Sequence, residues 1–190
     1  MHQHCSSSAP PAMASRRFPS LNRAREFQRL KRERESHRLQ PQAREECTAA
    51  EARLGSRSPD ERIQAASTLG RLRFADSYGT LLGALIAESA AGATENREVE
   101  LALLKALEDV GSEHNAKSLI TAGREPIKRF IMSHLADAQI VGAALEALSW
   151  TGPVNEISTD AMAIGVEAVR QGHTETRQAE SSFFLRLTER

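Results

Sequence analysis

Aromatic side chains are scarce in this chain: one Trp, one Tyr and six Phe make up 4% of 190 residues. A core has to be filled by Leu, Ile, Val and Ala, and such small, straight side chains let helices approach closely. Long apolar runs are absent too. No stretch nears the roughly 18 residues needed to cross a bilayer, which argues against a transmembrane segment. Cysteine is limited to Cys5 and Cys47, without Cys-x-x-Cys spacing, the usage expected of a reduced, cytoplasmic chain. The sequence also lacks Gly-x-Gly-x-x-Gly, a phosphate loop, Gly-x-Ser-x-Gly and His-Glu-x-x-His. The expectation is a protein without a catalytic constellation, cofactor or metal.

A formal net charge of zero hides a split. Residues 16–57 carry 12 Lys/Arg against 6 Asp/Glu, whereas residues 58–190 carry 13 against 19. A basic arm thus precedes an acidic body, and the two invite different partners. Residues 1–19 are polar, Pro-bearing and without period, which predicts a disordered tail. Three readings are open for this leader: an organelle-targeting peptide, the leader of a secreted bacterial effector, or a true start at Met13. Residues 20–57 form the arm and linker. Leu21, Ala24, Phe27 and Leu30 make a narrow apolar stripe on a predicted helix from Ser20 to Arg38. Pro41 interrupts it, and Gln42 to Leu54 predict a second, short helix. Residues 58–190 make the main domain.

That domain repeats itself. Ile140 to Gly152 restates Val99 to Gly111 at a spacing of 41 residues, with Ala102/Ala143, Leu104/Leu145, Ala106/Ala147, Leu107/Leu148 and Gly111/Gly152 identical. At a spacing of 38, Leu69/Leu107, Leu72/Val110, Leu81/Leu119, Leu82/Ile120 and Ala84/Ala122 pair without a gap. A period near 40 in an apolar helical pattern marks stacked helical hairpins. The predicted helices begin at Ser58-Pro59-Asp60-Glu61, a cap, a first-turn Pro and acids at the positive helix end. Others follow at Asp76-Ser77, Asn96–Val110, Glu113–Ala122, Glu125-Pro126 onward, Asp137–Gly152, Ser158–Gln171 and Thr174–Leu187. In the last, Arg177, Ser182, Phe184, Arg186 and Leu187 echo Arg62, Ser67, Leu69, Arg71 and Leu72. A residue larger than alanine at Ala106 or Ala147 should overpack the stack by roughly 1–3 kcal/mol.

Asp60-x-Arg62…Gln64-Ala65-Ala66-x-x-Leu69-Gly70-Arg71-Leu72 and Val99…Ala106-Leu107-x-x-Val110-Gly111 resemble HEAT repeats. The nearest variety is the bacterial phycobilisome-lyase type, whose second helix carries Leu-Ile-x-x-Leu. Leu81-Leu82-x-x-Leu85 and Leu119-Ile120 match that helix, and the resemblance covers residues 58–171 with a weaker tail to Leu187. The family's helix arginine stands at Arg62 but is Glu100 and Val141 in the later copies; its mid-motif glycine is Gly70, then Glu108 and Ser149. The resemblance implies an all-α fold: a short α-solenoid of about three HEAT-like helix pairs plus a terminal half-repeat. HEAT-like proteins are mostly scaffolds and adaptors, with a few enzymes among them.

Candidate contacts follow from the repeat register. Trp150 aligns with Arg71 and Asp109, two positions expected to face water, so it is either a partner anchor or the cover of one end of the stack. Arg71, Arg73, Arg124, Lys128 and Arg129 form a basic ridge or a solvated face. The arm offers Leu21, Phe27 and Leu30 for docking on the acidic body or on a partner, or is a solvated helix, with nucleic-acid phosphates or an anionic membrane as the other takers. Glu113-His114 reverses the His-Glu step of HEAT-type iron hydroxylases and occurs once, which reads as a surface histidine. His134 reads as packed or solvated, and His2, His4 and Cys5 as incidental donors. The expectation is a protein-interaction adaptor. The alternatives are a HEAT-like nucleic-acid binder or base-excision glycosylase, which the acidic body disfavours, and a secreted effector or lyase-like enzyme.

Overall fold

The computed structural model describes residues 40–91, 96–114 and 118–188. The chain divides into two compact units, Met1–Gln42 and Ala43–Arg190, and everything below concerns the second. The arm residues Leu21, Phe27 and Leu30 lie outside the described residues. Among the described residues every regular element is a helix and none is a strand.

Residues 43–53 are helical (α1) and bury Cys47, Ala50 and, just beyond, Leu54. There follow α2 (Pro59–Leu72), α3 (Ser77–Ala91), α4 (Arg97–His114), α5 (Ser118–Thr121) and α6 (Arg124–Ser133). The last three are α7 (Ala138–Leu148), α8 (Val154–Arg170) and α9 (Thr174–Thr188). Helix α2 starts with Pro59 in its first turn and with Asp60 and Glu61 facing the helix dipole. Ser58 is extended there, but its hydroxyl makes no cap bond; its own N–H donates to Ser56 Oγ at 3.1 Å instead. At α7 the cap is formed by its side chain: the Asp137 carboxylate accepts from Gln139 N at 3.0 Å and Ile140 N at 3.1 Å.

The helices pack in chain order. Helix α2 lies on α4, α4 on α7 and α7 on α9; α3 lies on α6 and α6 on α8; and α3, α6 and α8 pack against α4, α7 and α9 respectively. Equivalent positions are buried in successive helices. Val99, Leu103, Leu104, Ala106 and Leu107 of α4 correspond to Ile140, Ala144, Leu145, Ala147 and Leu148 of α7, and all ten are buried. Arg62, Ala65, Ala66 and Leu69 of α2 match Glu100, Leu103, Leu104 and Leu107, again all buried. Small residues mark the close crossings. A Cβ on Gly70 would stand 3.0 Å from Ala106 Cα, and one on Gly111 would stand 2.9 Å from Trp150 Cβ. A methyl group at Gly111 would force a shift, and one at Gly70 would need its neighbour to give by a few tenths of an ångström.

Two details differ from the expected pattern. Of the helix expected at Glu113–Ala122, Glu113 and His114 belong to the end of α4 and Ser118–Thr121 form the single turn α5, while residues 115–117 lie outside the described residues. Helix α6 is the one that packs on α3 and α7. Leu119, paired by sequence with buried Leu81, is 39% exposed. The gap-free alignment failed here because α6 supplies its own buried set, Ile127, Phe130 and Ile131, only a few residues further on. In α9 the buried residues are Thr176, Glu180, Phe183 and Leu187, whereas Arg177 and Ser182 are exposed and Phe184 is half-buried. The echo was therefore read one residue out of register. Two of the four inward positions are polar, so the apolar period carried too few marks to fix it.

Tyr78 shows how tightly the middle is filled. It is fully buried, and a Cβ on Gly123 would reach within 2.7 Å of its ring. Its hydroxyl has no hydrogen-bond partner among the described residues, and burial pushes its pKa upward. A buried hydroxyl without a partner is destabilising by about 1–3 kcal/mol. Tyr78→Phe is accordingly expected to raise the unfolding free energy by about 1 kcal/mol in urea titration.

Candidate interaction surface

Most of the charged residues near the helix contacts join one helix to another. Arg62 of α2 sits with Nε 2.7 Å from Glu88 Oε1 on α3, and donates from Nη1 to Ser56 O at 2.8 Å and from Nη2 to Asn96 Oδ1 at 3.1 Å. Arg97 Nε donates to Asp137 Oδ2 at 2.6 Å, tying α4 to the cap of α7. That bond, with the two backbone N–H groups, holds the Asp137 carboxyl below the usual carboxylate range despite burial. Arg186 of α9 donates to Glu146 of α7 at 2.7 Å.

The basic candidates separate into three places. Arg71 and Arg73 stand at the end of α2, where Arg71 pairs with Glu46 and Arg73 Nη1 lies 3.6 Å from Glu113. Arg73 adopts a left-handed conformation, φ 52° and ψ 35°, with its N–H returning to Leu69 O at 3.0 Å. His114 Nε2 donates to Arg73 O at 2.7 Å, so this histidine holds the turn. An open cleft of about 460 Å³ lies beside these residues, also touched by Phe74 and Asp76.

Arg124 and Lys128, one turn apart on α6, both face α8. Arg124 Nε donates to Asp160 Oδ2 at 2.7 Å and Lys128 Nζ to Asp160 Oδ1 at 3.0 Å, while Arg124 also pairs with Glu156. Arg129 points elsewhere. Its Nε donates one long bond, 3.5 Å, to Glu125 O, and no carboxylate among the described residues pairs with it. It lies at the rim of a cleft of about 290 Å³ between α3 and α6, lined also by Ile86, Ser89, Pro126, Phe130 and Ser133. Sequence reasoning missed this cleft. Ile86, an apolar residue of α3, is 48% exposed there. The signal was available: Ile86 lies eight residues after Tyr78, about 80° round the helix, at the edge of the apolar stripe.

Trp150 is half-buried at the end of α7, packed over Gly111. Farther along, α8 presents Val154, Met162, Val166 and Val169 to solvent, each more than half exposed, with Asn155, Thr159 and Ala163 beside them. None of these seven side chains is charged, and together they form an uncharged, largely aliphatic strip on the surface.

The position held by Arg62 is filled differently in α2, α4 and α7. In α2 it is Arg62, paired with Glu88. In α4 it is Glu100, whose Oε1 lies 3.4 Å from His134 Nε2 after α6. In α7 it is Val141, buried without a polar partner to satisfy. His134 stacks on Phe130 with centroids 4.2 Å apart, and its Nδ1 lies 2.9 Å from Phe130 O, which requires a proton on that nitrogen. Nε2 then meets the Glu100 carboxylate well only if the pair holds a second proton, on one partner or the other.

Burial pushes the Glu100 carboxyl upward, and nearby Glu88 and Asp137 add to this while His134 opposes it. A carboxyl raised on folding stabilises below its unfolded pKa, and the benefit is lost as pH rises through the folded value. Glu100→Gln keeps a donor for Nε2 without the charge. It is expected to raise stability at pH 8 by about 1 kcal/mol and to flatten the decline above the glutamate range. Urea titrations of both proteins across that range check this.

Among the described residues no three His, Cys, Asp or Glu side chains come together in a group able to hold a metal ion. No described helix is long and apolar enough to cross a membrane. Compared with known proteins, the chain matches no family model, no curated protein and no solved structure.

Proposed function

We propose that residues 58–190 form a short HEAT-like α-solenoid that works as a non-catalytic protein-interaction adaptor. Along the chain its repeat units would be α2 with α3, α4 with α6 and α7 with α8, closed by α9 as a half-repeat, while the helices packed side by side between the two rows are α3 with α4, α6 with α7 and α8 with α9. The observation that carries this reading is the recurrence of burial at equivalent positions of α2, α4 and α7, in helices that pack each on the next. A chain built of such units has apolar faces that only a neighbour can cover, and it offers an extended surface to a partner. The apolar cleft between α3 and α6 and the uncharged strip on α8 are the surfaces it would use.

Affinity purification of the full-length chain from its native host, followed by mass spectrometry, tests the reading beside an assay panel for turnover of small molecules. A protein partner recovered in stoichiometric amount in replicate is the expected result. Absence of any specific protein partner, together with measurable turnover, would overturn it.

A further inference from the structure

Deepening the adaptor reading, on which it rests, we propose that the cleft between α3 and α6 receives a partner polypeptide segment carrying an apolar side chain beside a carboxylate. Phe130 forms the floor, 5% exposed and held by its stacking on His134; Ile86 and Pro126 form the walls. Arg129 stands at the rim with Ser89 and Ser133. At about 290 Å³ the cleft is at the lower end for enclosed small-molecule pockets, and it opens on one side. Its volume fits one side chain, with the partner's backbone lying across the rim.

The charge at the rim selects the neighbour of that side chain. Arg124 and Lys128 are bound to Asp160, but Arg129 meets no carboxylate among the described residues. A guanidinium in this state presents a fork that matches a carboxylate in two parallel bonds. The Ser133 hydroxyl donates to Phe130 O at 2.8 Å and lies 3.0 Å from the protonated His134 Nδ1, which leaves one lone pair for an incoming backbone N–H. The body as a whole is acidic, but beyond a Debye length of about 8 Å that balance is screened, so the pair at the rim decides.

Selection of phage-displayed random peptides on the full-length chain tests this. The enriched sequences are expected to share an apolar residue within about three positions of Asp or Glu. A synthetic peptide of that consensus, followed by fluorescence anisotropy, should bind Arg129→Glu and Ile86→Asp each about ten-fold or more weakly than the native chain. Arg129→Lys, which keeps the charge and loses the fork, should fall between. Both positions are exposed at least in part, and circular dichroism of each variant verifies the fold. Enriched peptides without an acidic residue, or affinities unmoved by both substitutions, would overturn the cleft and leave the adaptor reading standing. A selection that enriches nothing also overturns the cleft. If in that case sodium octanoate binds in an Arg129-dependent way, the cleft is a small-molecule site, and the adaptor reading is left to the recovery of a protein partner.

Discussion

Leu104→Ala is expected to lower the unfolding free energy by about 3 kcal/mol, within the 2–5 kcal/mol that buried leucines lose on truncation. Leu104 is fully buried in the middle of α4, and α4 is the helix that packs on α2, α3 and α7 together. Its equivalent in α7, Leu145, is fully buried as well, and Ala66 holds the same place in α2. A cavity at Leu104 is therefore walled by helices on several sides. None of them can move in without leaving another neighbour, so collapse is poor and the loss approaches the full transfer and cavity terms. Urea denaturation followed by circular dichroism gives the difference directly. The same truncation at Leu187, near the end of α9, should lose less, since that side chain is 5% exposed and has neighbours on fewer sides.

The second large effect concerns Asp160. Burial by itself would raise this carboxyl; the bonds from Arg124 and Lys128 more than offset it and hold the pKa below the ordinary aspartate value. Asp160→Asn keeps the shape and removes the charge that both cations face. The expected loss is about 2 kcal/mol at pH 7, less than for a fully buried pair because Arg124 and Lys128 keep contact with water. A carboxyl depressed on folding stabilises above its unfolded pKa, and that stabilisation is lost as pH falls through the folded value. The gap between the native chain and Asp160→Asn should thus be constant from pH 8 to 5 and close below about pH 4. A gap that stays open in acid would mean that the carboxylate charge is not what joins α6 to α8.

The carboxyls of Glu100 and Asp160 are shifted in opposite directions for one physical reason. Both are buried beside a basic group. Asp160 faces two permanent cations in direct bonds, whereas Glu100 faces one imidazole at 3.4 Å and two further acids. Desolvation is overcome in the first and not in the second.

What was legible in the sequence is the part written in apolar side chains at identical spacing. Val99–Val110 and Ile140–Thr151 gave the same inward face twice, and α4 and α7 bury it as read. Lost to the sequence were the places where polar residues turn inward. Thr176 donates to Leu135 O at 2.6 Å and Glu180 is buried beside Gly165, so α9 hides two of its marks from any hydrophobic count. The substitution of Arg62 by Glu100 and then Val141 looked like decay of a motif. Its sense lies in partners 26 and 34 residues further on, Glu88 and His134, which no local window contains. The same holds for the candidate surface. Arg124, Lys128 and Arg129 read alike in sequence, and only the position of Asp160 on α8 separates the two that bridge helices from the one at a cleft.

The proposal that the helices form a progressing stack is tested most directly by distances between spin labels on the full-length chain. Labels would replace exposed Ser67 on α2, Lys105 on α4 and Ser181 on α9, in a background where Cys5→Ser and Cys47→Ala remove the native thiols. Adjacent packed helices lie about 8–10 Å apart, axis to axis. A stack places α2 three steps from α9, so the Ser67–Ser181 separation is expected near 25–30 Å and well beyond the Ser67–Lys105 separation. Equal separations for the two pairs would mean that the helices gather round one central core, and the account would be contradicted.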